Sequence, residues 1–117
     1  MMPAMFHLAK KVAISKKDKR GFLVGAVAIR KDGTIVKACN SPHRGDRQNP
    51  KAHAEYKLAK KLDKYAVVYV LRVRRGDGSV GLAKPCPDCE RTLRSKKVVK
   101  VYYSISDNEY GVLDLRK

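Results

Sequence analysis

A three-layer α/β/α domain built around a five-stranded mixed sheet is the fold class this sequence predicts. Three observations carry it. Segments with apolar residues at helical spacing and short β-branched or aromatic runs follow one another as helix, strand, strand, helix, strand, helix, strand, strand. Two of the helical segments, "NPKAHAEYKLAKKL" and "PCPDCERTLRSKK", carry proline only in the first turn, where a missing N–H costs little. The link between the last two strands centres on Asp107 and Asn108, too short for a parallel return, so that pair should be antiparallel.

Each element follows from its own residues. In "AMFHLAKKVAISKK", Phe6, Leu8, Ala9, Val12 and Ala13 fall near helical spacing with lysines between them, giving a first helix with one apolar face. The charged turn Lys16 to Gly21 precedes "GFLVGAVAIR", and the Asp32-Gly33 turn separates it from "TIVKAC". Two antiparallel strands over 22–30 and 34–39 are therefore expected. "NSPHRGDRQNP" has the composition of a loop, and Asn49 before Pro50 reads as cap and first position of a helix over about 50–63. "YAVVYVLRV" is apolar almost throughout, as in a strand covered on both faces, and "RRGDGSVGLAK" reads as a flexible loop. After the third helix, "VVKVYYSI" and "YGVLDL" supply the last two strands.

Length and charge bound what such a domain can do. At 117 residues the chain fits one domain, 1–117, with one core and one site. Lys and Arg number 27 against 11 Asp and Glu, a net +16 spread over the whole length. Solubility is served equally well by acidic residues, and hot-habitat surfaces mix both signs, so this excess points to a polyanionic partner or substrate, nucleic acid above all. No stretch approaches the ~20 apolar residues that span a bilayer, and "MMPAMFHLAKKVAISKK" is too interrupted by lysine for a secretory signal. A cytoplasmic protein without membrane contact is expected. The Cys86-x-x-Cys89 pair suits a reducing compartment, where it is more often a metal or redox site than a structural disulfide, and Cys39 is left over.

The chemistry concentrates at two helix starts. His53 and Glu55 lie on one, Cys86 and Cys89 on the other, and each helix follows a strand, so both N-termini can meet at one edge of the sheet. One nitrogen and two sulfurs leave the fourth tetrahedral position of a single Zn2+ open for water, as in catalytic sites. Both helix N-termini add positive dipole ends that favour thiolate. Glu55, two residues from His53, can lean over the water without ligating. A structural zinc site would need a fourth ligand, which Cys39, His7 or His43 could supply, and Glu55 alone would read as a surface charge. The combination of His-x-Glu with Pro-Cys-x-x-Cys about thirty residues on is, however, the signature of zinc nucleobase deaminases.

Through "HAE" at 53–55 and "PCPDC" at 85–89 the chain resembles the cytidine deaminase-like superfamily. "VGAVAIRKDGTIVKACNSP" is similar to that superfamily's first hairpin and "VVKVYYSIS" to the strand after its second motif, so the resemblance covers about residues 5 to 115. It implies a zinc-dependent hydrolase that removes the amine of a nucleobase, with His53, Cys86 and Cys89 as ligands and Glu55 moving protons to the ring nitrogen and departing ammonia. By position it implies that Asn40 contacts substrate, that the Ala54 N–H and the carbonyls near Pro85 read the base, and that Tyr103 lies close to it. Core packing on a strand is the competing role for Tyr103.

The resemblance leaves the substrate to be argued. Enzymes of free cytidine usually carry Asn-x-Glu where this chain has Asn40-Ser41-Pro42, and the missing glutamate weakens a free-nucleoside reading. "CNSPHRGDRQNPKAHAE" is similar to tRNA adenosine deaminases, yet those normally continue into further helices with a parallel last strand. An antiparallel end favours cytosine. Arg44, Arg47 and Lys51 precede His53, Arg74, Arg75 and Lys84 lie before Cys86, and Arg91 follows Cys89, so basic groups from distant segments converge on one expected pocket. The expected activity is cytosine to uracil in single-stranded DNA or RNA, whose phosphates such groups can hold. Free cytidine, deoxycytidine or nucleotide deamination and tRNA adenosine deamination are the alternatives, and a catalytically silent zinc-stabilised nucleic-acid-binding module is a third class. A homo-oligomer is compatible with the thin covering expected on one sheet face.

Overall fold

A computed structural model of the chain describes residues 4–14, 22–39, 58–62, 64–74, 78–85 and 87–115. The elements are α1 (Ala4–Ile14), β1 (Phe22–Ile29), β2 (Ile35–Cys39), β3 (Val67–Arg74), β4 (Val80–Gly81), α2 (Pro87–Ser95), β5 (Lys100–Ser106) and β6 (Glu109–Asp114). Of the helix expected over about 50–63, Leu58 and Ala59 are its described helical part; the rest lies outside the described residues.

The strands order as β2-β1-β3-β5-β6, with β4 paired to β3 off this path. β1 runs antiparallel to both β2 and β3, β3 and β5 run parallel, and β6 runs antiparallel to β5. The sheet is thus mixed, and its last pair is antiparallel as the two-residue link requires. The stretch expected as a plain loop between β3 and α2 differs: Val73↔Val80 and Arg72↔Gly81 pair as a short hairpin, which adds a sixth strand to the five expected. Its sequence holds the signal, since Asp77-Gly78 is the same hairpin dipeptide as Asp32-Gly33, and both Gly33 (φ 90) and Gly78 (φ 73) adopt the left-handed backbone such turns demand.

Strand alternation divides the core into two layers. Leu23 and Val27 of β1 and Leu71 and Val73 of β3 face α1, whose Phe6, Ala9 and Ala13 meet them. Ala26, Ala28, Val68, Val70 and Val101 face the other way, against Leu58, Ala59 and Leu93 of the second helical layer. Burying Phe6 or Leu93 completely contributes about 1.5–3 kcal/mol each. α1 approaches the sheet closely because Gly25 offers it no side chain: a Cβ there would collide with the Ala9 carbonyl oxygen and lie 2.7 Å from the Ala13 nitrogen.

The ends of the elements are specified locally. The β1–β2 turn closes through Arg30 N to Thr34 O (2.8 Å), and the Asp32 carboxylate accepts from the Thr34 N–H (2.9 Å). That bond, chiefly, lowers the Asp32 pKa below its ordinary value. α2 ends with Lys97 in the left-handed region (φ 60), Val98 N donating to Leu93 O (3.2 Å) and Lys97 N to Arg94 O (3.0 Å), a Schellman closure in a position that favours glycine. Arg94 also donates from Nη1 to the Leu115 carbonyl (3.2 Å), tying α2 to the end of β6. Among the described residues, no helix is long and apolar enough to cross a membrane.

Candidate active site

The parallel pair β3/β5 is the place in this sheet where an α/β fold opens a crevice, beyond the carboxyl ends of its strands. The chain leaves β3 there, turns back through β4, and reaches the first turn of α2 by way of Leu82–Pro85. Along that segment burial alternates: Leu82 and Lys84 are exposed while Ala83 and Pro85 are buried. The alternation anchors the segment to the core immediately before Cys86.

Cys89 is the third residue of α2 and fully buried, on the same helix face as Leu93 one turn later. Pro87 at the first helical position puts Cys89 in the first turn of α2. Cys86 itself lies outside the described residues, as do His53, Ala54, Glu55, Asn40, Arg44, Arg47, Lys51 and Arg75. Among the described residues no three His, Cys, Asp or Glu side chains come together as a metal-holding group.

Of the remaining expected site residues, Pro85 is buried next to Cys86, and Arg74 and Lys84 are exposed at either end of the β3–β4 excursion. Arg91 is exposed two residues beyond Cys89. Two residues are about 200° of helix rotation, so Arg91 leaves α2 on the side away from the buried thiol. Tyr103 is half-buried and packs against the same core layer as Leu93 and Val101. Both readings of Tyr103 therefore meet in one place, because its ring is part of the layer that underlies α2.

Residue type alone does not single out Ser104. It is fully buried, and its hydroxyl accepts from the Arg72 N–H (3.2 Å) and donates to the Gly81 carbonyl (2.7 Å). Asp107 reads in the sequence only as a link residue, yet its Oδ1 accepts from the Val80 N–H (2.9 Å). Nothing in the local sequence marks either, since their partners are 23 to 32 residues away.

A mixed open sheet with helices on both faces, and a buried cysteine in the first turn of the helix that connects the parallel strands β3 and β5 by way of β4, define an α/β enzyme whose site lies at the strand ends. Residues 2–105 match the family model described as the cytidine and deoxycytidylate deaminase zinc-binding region, and the chain belongs to that family. It is accordingly a zinc-dependent hydrolytic deaminase with one Zn2+ per chain. No curated protein sequence matches it significantly.

Solved structures repeat the fold. A cytidine deaminase from Burkholderia pseudomallei superposes with a TM-score of 0.64 at 17% identity, covering 97% of this chain and 94% of that one. A single-substitution variant of cytidine deaminase from Mycobacterium tuberculosis gives 0.55 at 24% identity, covering 92% and 84%. A second variant of the same enzyme gives 0.56 at 21%, covering 93% and 83%.

Proposed function

We propose that this protein converts cytosine to uracil in single-stranded DNA or RNA, with His53, Cys86 and Cys89 holding the zinc ion and Glu55 moving the protons. The donor set fits the metal: one imidazole and two thiols at helix starts, with Cys89 shielded from water. Zinc supplies a Lewis acid that makes water a nucleophile near neutral pH. Glu55 takes a proton from the attacking water and delivers it to the ring nitrogen. A new C–O bond forms at the carbon bearing the amine; the carboxylate, free again, takes the remaining proton of that new hydroxyl and passes it to the amine, the C–N bond breaks, and ammonia leaves as the carbonyl forms. Asn40, the Ala54 N–H, the Pro85 carbonyl and Tyr103 orient the base.

The choice of cytosine over adenine is supported by the antiparallel β5–β6 pair. The choice of a polymer is carried by one observation, the net charge of +16. A free nucleoside has no phosphate for such a field to hold, whereas a strand has one on each side of the reacting base. Arg44, Arg47, Lys51, Arg74, Arg75, Lys84 and Arg91 are the proposed contacts. Of the described ones, Arg74 and Lys84 flank the segment that leads into Cys86, while Arg91 diverges from it.

Deamination of free cytidine or deoxycytidine is the second reading, favoured by the structural neighbours, which are cytidine deaminases. A cytoplasmic location and association between copies complete the proposal. For the latter, Val112 and Tyr110, whose ring meets Phe6 of α1 at 5.7 Å, are 47% and 39% exposed on the last strand of the sheet.

The deciding experiment incubates the protein, with Glu55→Ala as control, with cytidine, deoxycytidine and mixed-sequence single-stranded DNA and RNA, then digests to nucleosides and quantifies uracil and hypoxanthine products by mass spectrometry. Uracil products confined to the polymers are expected. Rapid conversion of the monomers with polymers untouched would overturn the polymer reading in favour of the second.

A further inference from the structure

We propose that Ser104 is a positioning residue for the zinc-ligand segment, its buried hydroxyl fixing the register of the strand that delivers Cys86 and Cys89. The inference rests on the reading that those two cysteines hold zinc.

β3 and β5 pair as parallel neighbours only from Val67↔Lys100 to Val70↔Tyr103. Beyond that point β4 takes the place beside β3, opposite Arg72 and Val73. It enters as a wedge at the carboxyl ends of the parallel strands, in the crevice such a sheet leaves open. Ser104 is the first β5 residue past the parallel pairing. Its side chain replaces the interrupted ladder with two bonds, accepting from the Arg72 N–H on one side and donating to the Gly81 carbonyl on the other.

The same residue holds the far side of the wedge through its backbone, its carbonyl accepting from the Ala83 N–H (2.8 Å). Asp107 secures the near end through Val80. Val80, Gly81 and Ala83 are thus bonded to β5 or the turn after it, and only Lys84 and Pro85 separate Ala83 from Cys86. Two residues of extended chain span about 7 Å, so a slip of Ala83 reaches the ligand segment almost undiminished. Metal–ligand distances tolerate about 0.2 Å.

Chemistry selects serine at this position. Among the described residues it is the one buried polar side chain, and both its acceptor and its donor capacity are used. Alanine would leave the Arg72 N–H and the Gly81 carbonyl without this shared partner in a space closed to bulk water.

The test compares the full-length wild type, Ser104→Ala, Ser104→Thr, Asp107→Ala and Cys89→Ser, with Ile29→Ala as a control for stability lost far from the wedge. Zinc release to a colorimetric chelator and the thiolate-to-cobalt charge-transfer band of the cobalt-substituted protein are read beside the melting temperature. Ser104→Ala should release zinc about tenfold faster, as expected when a group supporting a ligand is removed, and should shift the cobalt band. Ser104→Thr, which keeps the hydroxyl, should restore both, and Asp107→Ala should accelerate release by a smaller factor. Ile29→Ala should melt lower yet release zinc at the wild-type rate.

Wild-type release and an unchanged cobalt band in Ser104→Ala, with Cys89→Ser depleted of zinc, overturn the positioning role alone. Should Ser104→Ala fail to fold, the same two readouts on Asp107→Ala decide. Full zinc retention by Cys89→Ser overturns the site reading and the proposal together.

Discussion

Tyr103 and Gly111 face each other across the β5–β6 pair, and the tyrosine ring occupies the space a side chain at 111 would need. A Cβ on Gly111 would lie 2.5 Å from the Tyr103 phenol carbon and oxygen. The far end of a side chain can move where backbone cannot, so Gly111→Ala should leave the protein folded, costing about 1–2 kcal/mol, and displace the ring. Under the proposed role of Tyr103 beside the substrate, the variant should raise KM several-fold in a steady-state deamination assay. An unchanged KM with a displaced ring would assign Tyr103 to the core alone.

Gly25 presents the opposite case. The atoms a Cβ would meet there are the backbone of α1 at Ala9 and Ala13. Neither can yield without moving the whole helix, so Gly25→Ala should destabilise by about 3 kcal/mol, the upper end of the usual cost of overpacking. Urea unfolding measures it, and a midpoint equal to that of the wild type would contradict the close approach of α1 to β1.

At Lys97 the expected change is a gain. A side chain in the left-handed region is strained by about 1 kcal/mol, and the Lys97 N–H bond that closes α2, like its carbonyl's bond from the Tyr65 N–H, involves only backbone. Lys97→Gly should keep those bonds and raise the melting temperature by a few degrees in a thermal scan. Lys97→Ala, which keeps the strain, should not.

Alkaline pH should reveal the tyrosine cluster. Burial, reinforced by Tyr102 and Tyr110, raises the Tyr69 phenol above its ordinary 10.0, and the Tyr69 and Tyr102 rings stack at 4.8 Å. The folded protein therefore keeps this proton where the unfolded chain loses it. Its contribution to stability is complete below about pH 10 and declines as pH rises through the raised folded value. Urea midpoints measured across that range should fall, and Tyr69→Phe should show a shallower decline. Parallel declines in both proteins would remove Tyr69 as the cause.

The metal and the proton carrier separate by mutation. Glu55→Ala should retain zinc and lose deamination, while Cys86→Ala should lose zinc and stability, as metal content and a thermal melt would report. Replacing Arg44 and Arg47 with glutamine should reduce the salt dependence of strand binding, by roughly 0.7 in log–log slope for each phosphate that the variant no longer neutralises. An unchanged slope would place the strand on another surface.

The β1–β2 hairpin, α1, β3 and the antiparallel end are legible because each is encoded by neighbours in sequence: helical spacing in Ala4–Ile14, the Asp32-Gly33 turn, the two-residue link after β5. The zinc-binding family is legible for a similar reason, since His53-x-Glu55 and Pro85-Cys86-x-x-Cys89 are short motifs carried by neighbours in sequence. The β4 hairpin is marked only at its turn, by Asp77-Gly78; its strand escapes such reading because two residues are too few to display alternation, and only pairing with β3 makes them one.

By itself the sequence determined the class of chemistry and the two-sided patterning of the sheet, through residue types and short spacings that act within a turn or a strand. Tertiary structure alone decided that β4 wedges between β3 and β5, that Ser104 joins them, and that Tyr103 rests on Gly111. Those relations join residues 7 to 32 positions apart. Hydrogen bonds and close packing depend on distance in space, and chain separation leaves no local pattern by which to read them.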